Sequence, residues 1–105
     1  MSDISVEELA KWRAAGRDFV LLDVREHAEV ARASFAGALH IPLRELPARL
    51  SSVRADADIA VICHYGGRSE YAAALLRAHG FSRVHNVEGG IDAYAERVDA
   101  SIPRY

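Results

Sequence analysis

Three observations predict an α/β domain with a small central, mainly parallel sheet and helices on both faces. Phe19 to Val24 (FVLLDV) and Asp58 to Cys63 (DIAVIC) are continuous apolar runs, the pattern of strands buried on both sides. Segments with helical apolar spacing stand between and after them. Glycines, Gly16 and Gly80, sit where two of those helices should stop. With 105 residues the chain is expected to be one domain over 1–105, long enough to bury about two thirds of its unfolded surface.

Taken in order, Ser5 and Glu8 have capping-box spacing and open a short helix that turns Val6, Leu9 and Trp12 inward and stops at Gly16. The first buried strand covers 19–24, and a short polar helix follows over 26–31. Phe35 to Pro42 reads as a turn plus a short extended piece, because a proline disfavours helical backbone at Ile41. Apolar residues at 43, 46, 50 and 53 predict a helix over 43–53, with Pro47 either in its first turn or breaking it. A second buried strand covers 58–63. Ser69 to Ala78, rich in Ala and Leu, predicts a helix ended by Gly80. Arg83 to Val87 is a third strand, Gly89-Gly90 a turn and Ile91 to Val98 a last helix.

Composition narrows the function classes. Half the residues are apolar, 27% are charged and the formal net charge is −2. Scattered basic residues lack the footprint of a nucleic-acid binder. No apolar run approaches the ~20 residues of a membrane helix. The acidic start MSDISVEEL has no signal-peptide pattern, and a lone cysteine cannot form an internal disulfide, so a reducing, cytoplasmic setting is expected.

That cysteine, Cys63, ends the second buried strand in VICHYGGRS. In open parallel sheets ligands sit outside the carboxyl ends of the strands. Free cysteine is often simply a small buried hydrophobe. Two features after Cys63 argue otherwise. Gly66 and Gly67 let successive N–H groups converge on one spot, and a helix starting near Ser69 adds its unsatisfied N–H groups and the positive end of its dipole. Such a cage suits an anion, and helix N-termini and nearby cations favour thiolate. Arg68 adds a planar fork for an oxyanion. An activated, solvent-reachable nucleophile is expected at Cys63.

Cys63-His64-Tyr65-Gly66-Gly67-Arg68-Ser69 resembles the active-site loop of rhodanese-like sulfurtransferases, which run Cys, four residues, Arg, commonly then Ser. Leu22-Asp23-Val24-Arg25-Glu26, Gly37-Ala38 with Ile41-Pro42, Gly80-Phe81 and Glu88-Gly89-Gly90-Ile91 match the same family in the same order, over about residues 4 to 105. The resemblance implies a small three-layer rhodanese-like fold and a thiosulfate sulfurtransferase needing no cofactor. Cys63 would carry sulfane sulfur as a persulfide. His64, Tyr65, Gly66, Gly67, Arg68 and Ser69 would line the substrate loop, with Arg68 aiding recognition of a donor such as thiosulfate. The acceptor would be cyanide, a small thiol, a sulfur-carrier protein or a thioredoxin-like thiol. The tail Val98 to Tyr105 resembles rhodanese domains appended to adenylylating sulfur-carrier activators. Departures are Ala33-Ser34-Phe35-Ala36, where relatives often read Gly-His-Ile-Pro, and Tyr94, where tryptophan is frequent.

Two other readings compete: a binding or regulatory module that keeps the fold without turnover, and a cysteine phosphatase or arsenate reductase. Phosphatase loops place arginine six residues beyond the cysteine, whereas Arg68 comes at five. Asp23 and Arg25 leave the first strand on the same side as Cys63, either as an ion pair bracing the loop or as solvated strand-end charges. Tyr65 could form an aromatic rim or project into solvent. His64 could tune the nucleophile or be loop surface. His27, His40, His64, His79 and His85 show no metal-ligand spacing, and no metal is expected. Gly89-Gly90 reads as a turn in preference to a phosphate loop.

Overall fold

A computed structural model of the chain describes residues 3–105. Its sheet contains β1 (Asp3–Ile4), β2 (Phe19–Asp23), β3 (Leu39–His40), β4 (Asp58–Ile62) and β5 (Val84–Val87), in the order β1-β5-β4-β2-β3. Every pairing is parallel, so the sheet is wholly and not just mainly parallel. Helices α1 (Val6–Ala14), α2 (His27–Arg32), α3 (Gly67–Ala78) and α4 (Gly90–Arg97) connect and cover it.

All five residues of β4 are buried, as expected of a strand covered on both faces. Ile59 and Val61 join Ala72, Ala73 and Leu76 of α3 in one core. Ala60 and Ile62, pointing the other way, join Val6, Leu9 and Trp12 of α1 and Ile91 and Tyr94 of α4 in the second. Three layers result, with Cys63 following the alternation onto the α3 side.

The Ser5 side chain accepts the Glu8 N–H at 3.0 Å and caps α1, while the Glu8 carboxylate takes the Trp12 indole N–H at 3.0 Å. The helix expected over 43–53 is instead two short 3-10 segments, Leu43–Ala48 and Leu50–Ser52. Pro47 lies inside the first, where it lacks an N–H and crowds the carbonyl four residues back, so the chain uses i→i+3 bonds such as Arg49 N–H to the Leu46 carbonyl. The apolar spacing still serves the core, because Leu46 and Val53 are buried and Leu43 and Leu50 pack beside them. The extended piece expected within 35–42 is β3, while β1 was not legible, having two residues, too few to show a period.

From β2 the chain runs to β3 on one side, and from β4 to β5 on the other. The carboxyl ends of β2 and β4 therefore flank a topological switch point, the place where such sheets bind ligands. Asp23 and Cys63 are both there.

Candidate active site

Cys63 follows the last residue of β4, and Gly66, at φ +112°, bends the chain so that α3 begins at Gly67, two residues before the expected start. The turn aims the Gly66 N–H at Cys63 Sγ, 3.0 Å away. Cys63 Sγ is also 3.4 Å from Ser69 Oγ in the first turn of α3. That hydroxyl lies 3.1 Å from the Gly66 carbonyl and 2.5 Å from Asn86 Oδ1 of β5. Having a single proton, it cannot donate to both, and its lone pairs remain available to the thiol.

Helix α4 fixes the opposite edge of the loop. The Ile91 N–H holds the Cys63 carbonyl at 2.8 Å and the Asp92 N–H holds the His64 carbonyl at 3.1 Å. These bonds require close approach at Gly90, where a Cβ would stand 2.4 Å from both carbonyl oxygens. The turn read from the sequence at Gly89-Gly90 lies instead at Glu88-Gly89, with Gly90 opening α4, and this junction clamps the cysteine loop.

The thiol is not solvent-reachable as expected: Cys63 is 1% exposed, enclosed by the α3-side core and the first turn of α3. The residue after it belongs to an aromatic stack. The His64 ring is sandwiched between Tyr65, 3.8 Å away between centroids, and Tyr105 of the tail, 3.9 Å away. Tyr65 remains 63% exposed, so it both stacks and faces solvent. His64 Nε2 is buried without a hydrogen-bond partner among the described residues.

Arg68 is paired with a carboxylate, and it also lies close enough to Cys63 for a favourable charge interaction with the sulfur. Its guanidinium forms a two-pronged pair with Glu29 of α2, at 2.5 and 2.8 Å. The Glu29 carboxylate also accepts the Tyr105 hydroxyl at 2.9 Å and the Glu26 N–H at 3.0 Å. Hydrogen bonding from Arg68 is the main cause that lowers the Glu29 pKa to about 2, against a smaller opposing effect of burial. Asp23 and Arg25 do form an ion pair, buried and two-pronged, with Nη2 to Oδ2 at 2.7 Å. Arg25 further donates to the Ala33 carbonyl at 2.6 Å and to the Tyr105 hydroxyl at 2.9 Å. The pair braces α2 and the tail, and reaches the loop through Tyr105, both by its stack on His64 and by its hydroxyl on Glu29, the partner of Arg68.

The sequence reading missed Glu29, Asn86 and Tyr105. Glu29 belonged to a helix at the carboxyl end of β2, on the Cys63 side of the sheet, and that placement was the available signal. Nothing local marked Asn86 inside a short strand. Of the other histidines, His85 bonds Asp58 at 2.9 Å and His40 meets the Arg25 carbonyl at 2.6 Å. No metal-holding group of three or more His, Cys, Asp or Glu occurs among the described residues. No helix among them is long and apolar enough to cross a membrane.

A parallel five-stranded sheet with a cysteine loop at its switch point defines a class, and comparison with known proteins gives the family. The rhodanese-like domain family model matches residues 5–97. A sulfurtransferase of Allochromatium vinosum is 37% identical over 95 residues, covering 90% of this chain and 89% of that protein. An adenylyltransferase and sulfurtransferase of Candida glabrata is 33% identical over 102 residues, covering 87% of this chain but only 24% of the relative. The crystal structure of a rhodanese-like domain protein from Staphylococcus aureus superposes with a TM-score of 0.87 at 28% identity, over 100% of this chain and 99% of that one. The chain belongs to the rhodanese-like domain family, and its sulfurtransferase-named relatives support a role in sulfur transfer.

Proposed function

We propose that Cys63 carries sulfane sulfur between a donor and a thiophilic acceptor as a persulfide. The Cys63 thiolate attacks the outer sulfur of the donor, for which thiosulfate is the simplest example. A new S–S bond forms at Cys63, the donor's S–S bond breaks, and sulfite leaves with the electron pair. Cyanide, a thiol or a carrier protein then attacks the outer sulfur and restores the thiolate. With one cysteine in the chain, sulfur must leave to an external acceptor.

The observation that carries this reading is the Gly66 N–H aimed at Cys63 Sγ at 3.0 Å, beside the start of α3. A backbone donor at that distance and the adjacent helix N-terminus stabilise negative charge on sulfur. A Bacillus subtilis relative, 37% identical over 89 residues, is named a putative sulfur carrier protein, which supports a sulfur-carrier protein as the acceptor to test. Incubation with a sulfane donor should add about 32 Da, one sulfur, to the wild type and nothing to Cys63→Ser.

A phosphatase reading has less support, because Arg68 arrives five residues after Cys63 and is paired with Glu29. Turnover of a phosphorylated dye would reinstate it. A non-catalytic binding module would show ligand binding but no sulfur adduct.

A further inference from the structure

Arg68 is the only arginine or lysine in the 63–69 loop, and Glu29 holds it with both carboxylate oxygens. The next guanidinium on this side, Arg25, is fully buried and matched in the same way by Asp23. Arg104, close enough to Tyr65 of the loop for their charges to interact, is taken in turn by Asp92 and Glu96, so each of these three guanidiniums already faces a carboxylate. Arg32 is farther out, 5.6 Å over the Tyr105 ring, beside the cavity between α2 and the tail. Tyr105 secures the arrangement by donating its hydroxyl to Glu29 and accepting from Arg25.

We propose that Glu29 determines donor specificity: by occupying the Arg68 guanidinium and placing a carboxylate beside it, Glu29 disfavours dianionic donors relative to thiol persulfides of low net charge. This rests on the Cys63 persulfide reading. A dianion approaching the loop must displace Glu29 from its two-pronged pair or accept an adjacent negative charge, and either disfavours binding. A neutral persulfide R–S–SH meets no such opposition. The Cys63 thiolate attacks its terminal sulfur, the Cys63 S–S bond forms and the R–S bond to that sulfur breaks. The products are Cys63–S–SH and the thiolate RS−, so atoms, charge and electron pairs balance. Glu29 takes no part in bond making and acts through Arg68.

The test compares kcat/KM for thiosulfate with that for cysteine persulfide. Glu29→Gln keeps the size of the side chain while removing its charge and one of its two accepting oxygens, so the two-pronged hold on Arg68 is lost. It should raise kcat/KM for thiosulfate about tenfold, chiefly through KM, and change the persulfide value less than about twofold. Tyr105→Phe, which loosens Glu29 but keeps the ring stack, should move the ratio the same way by about two- to threefold. In an Arg68→Gln background the Glu29→Gln gain should fall to the part due to removing the carboxylate charge, a drop that general loosening of α2 would not produce. If both single variants keep the wild-type ratio while the sulfur adduct forms normally, the Glu29 role is wrong and the persulfide reading stands. If the wild type takes up no sulfur from either donor, the persulfide reading itself fails and the specificity role with it.

Discussion

The two ends of β4 solve the same electrostatic problem to different degrees. At the amino end Asp58, nearly buried, accepts from Arg17 at 2.5 Å, His85 at 2.9 Å and Arg83 at 3.0 Å. Its carboxyl is held far below the ordinary range, by the bond from His85 first and against the effect of burial. At the carboxyl end the ion pairs are just as complete, Asp23 with Arg25 and Glu29 with Arg68. Two groups there remain outside the pairing. Cys63 faces a backbone N–H, and His64 Nε2 has no partner among the described residues. A site that only stabilised the fold would have no use for an unmatched buried nitrogen, which costs about 1–3 kcal/mol. The amino end holds the fold together, and the carboxyl end, on our proposal, reacts.

Changes at the carboxyl end should separate activity from stability, and the largest effect belongs to the nucleophile. Cys63→Ser keeps the size of the side chain and should lower sulfur transfer by more than about a thousandfold with little change in melting temperature. Next is the clamp at Gly90, where alanine would meet two carbonyl oxygens and a φ of +61°. Gly90→Ala should cost about 3 kcal/mol or more by urea unfolding and displace the loop enough to impair transfer.

At the amino end the expectation reverses. Asp58→Asn leaves two guanidiniums short of their carboxylate and should lower stability by about 2 kcal/mol, while kcat/KM stays within about twofold of wild type. A large loss of activity in that variant would break the contrast between the two ends.

Acid should weaken the carboxyl end through Glu29. Its pKa is lowered on folding from 4.5 to about 2, so its contribution is present above pH 4.5 and is lost as pH falls from there toward 2. After allowance for solvent screening of Arg68, a loss on the order of 1–2 kcal/mol is expected between pH 5 and 2, smaller in Glu29→Gln. The smallest effect is a gain. His64→Phe preserves the stack between Tyr65 and Tyr105 and removes the unpaired nitrogen, so it should raise stability by up to about 1 kcal/mol, read as a higher melting temperature.

The contrast between the ends also explains what the sequence disclosed. Continuous apolar runs at 19–24 and 58–63 foretold a buried parallel sheet, because burial on both faces leaves no polar alternation to hide it. Gly66-Gly67 and the following helix marked the Cys63 loop, since backbone that curls around a sulfur needs residues without side chains. The helix over 43–53 was misjudged because spacing reports which side chains face inward, while Pro47 decides which hydrogen bonds can form. Glu29 and Tyr105 were hidden for a different reason. They join the site through contacts 39 and 76 residues apart, Arg68 to Glu29 and Tyr105 to Glu29, that no local pattern encodes. The burial of Cys63 was missed likewise, because the core and the first turn of α3 enclose it only once the chain has folded.

The most direct test of the central proposal, sulfur carried on Cys63, is the intact mass of the protein after exposure to thiosulfate or cysteine persulfide and removal of excess donor. The expected result is a gain of about 32 Da on the wild type, reversed by cyanide or a thiol and absent from Cys63→Ser. An unchanged mass with both donors, or an equal gain on Cys63→Ser, would contradict it.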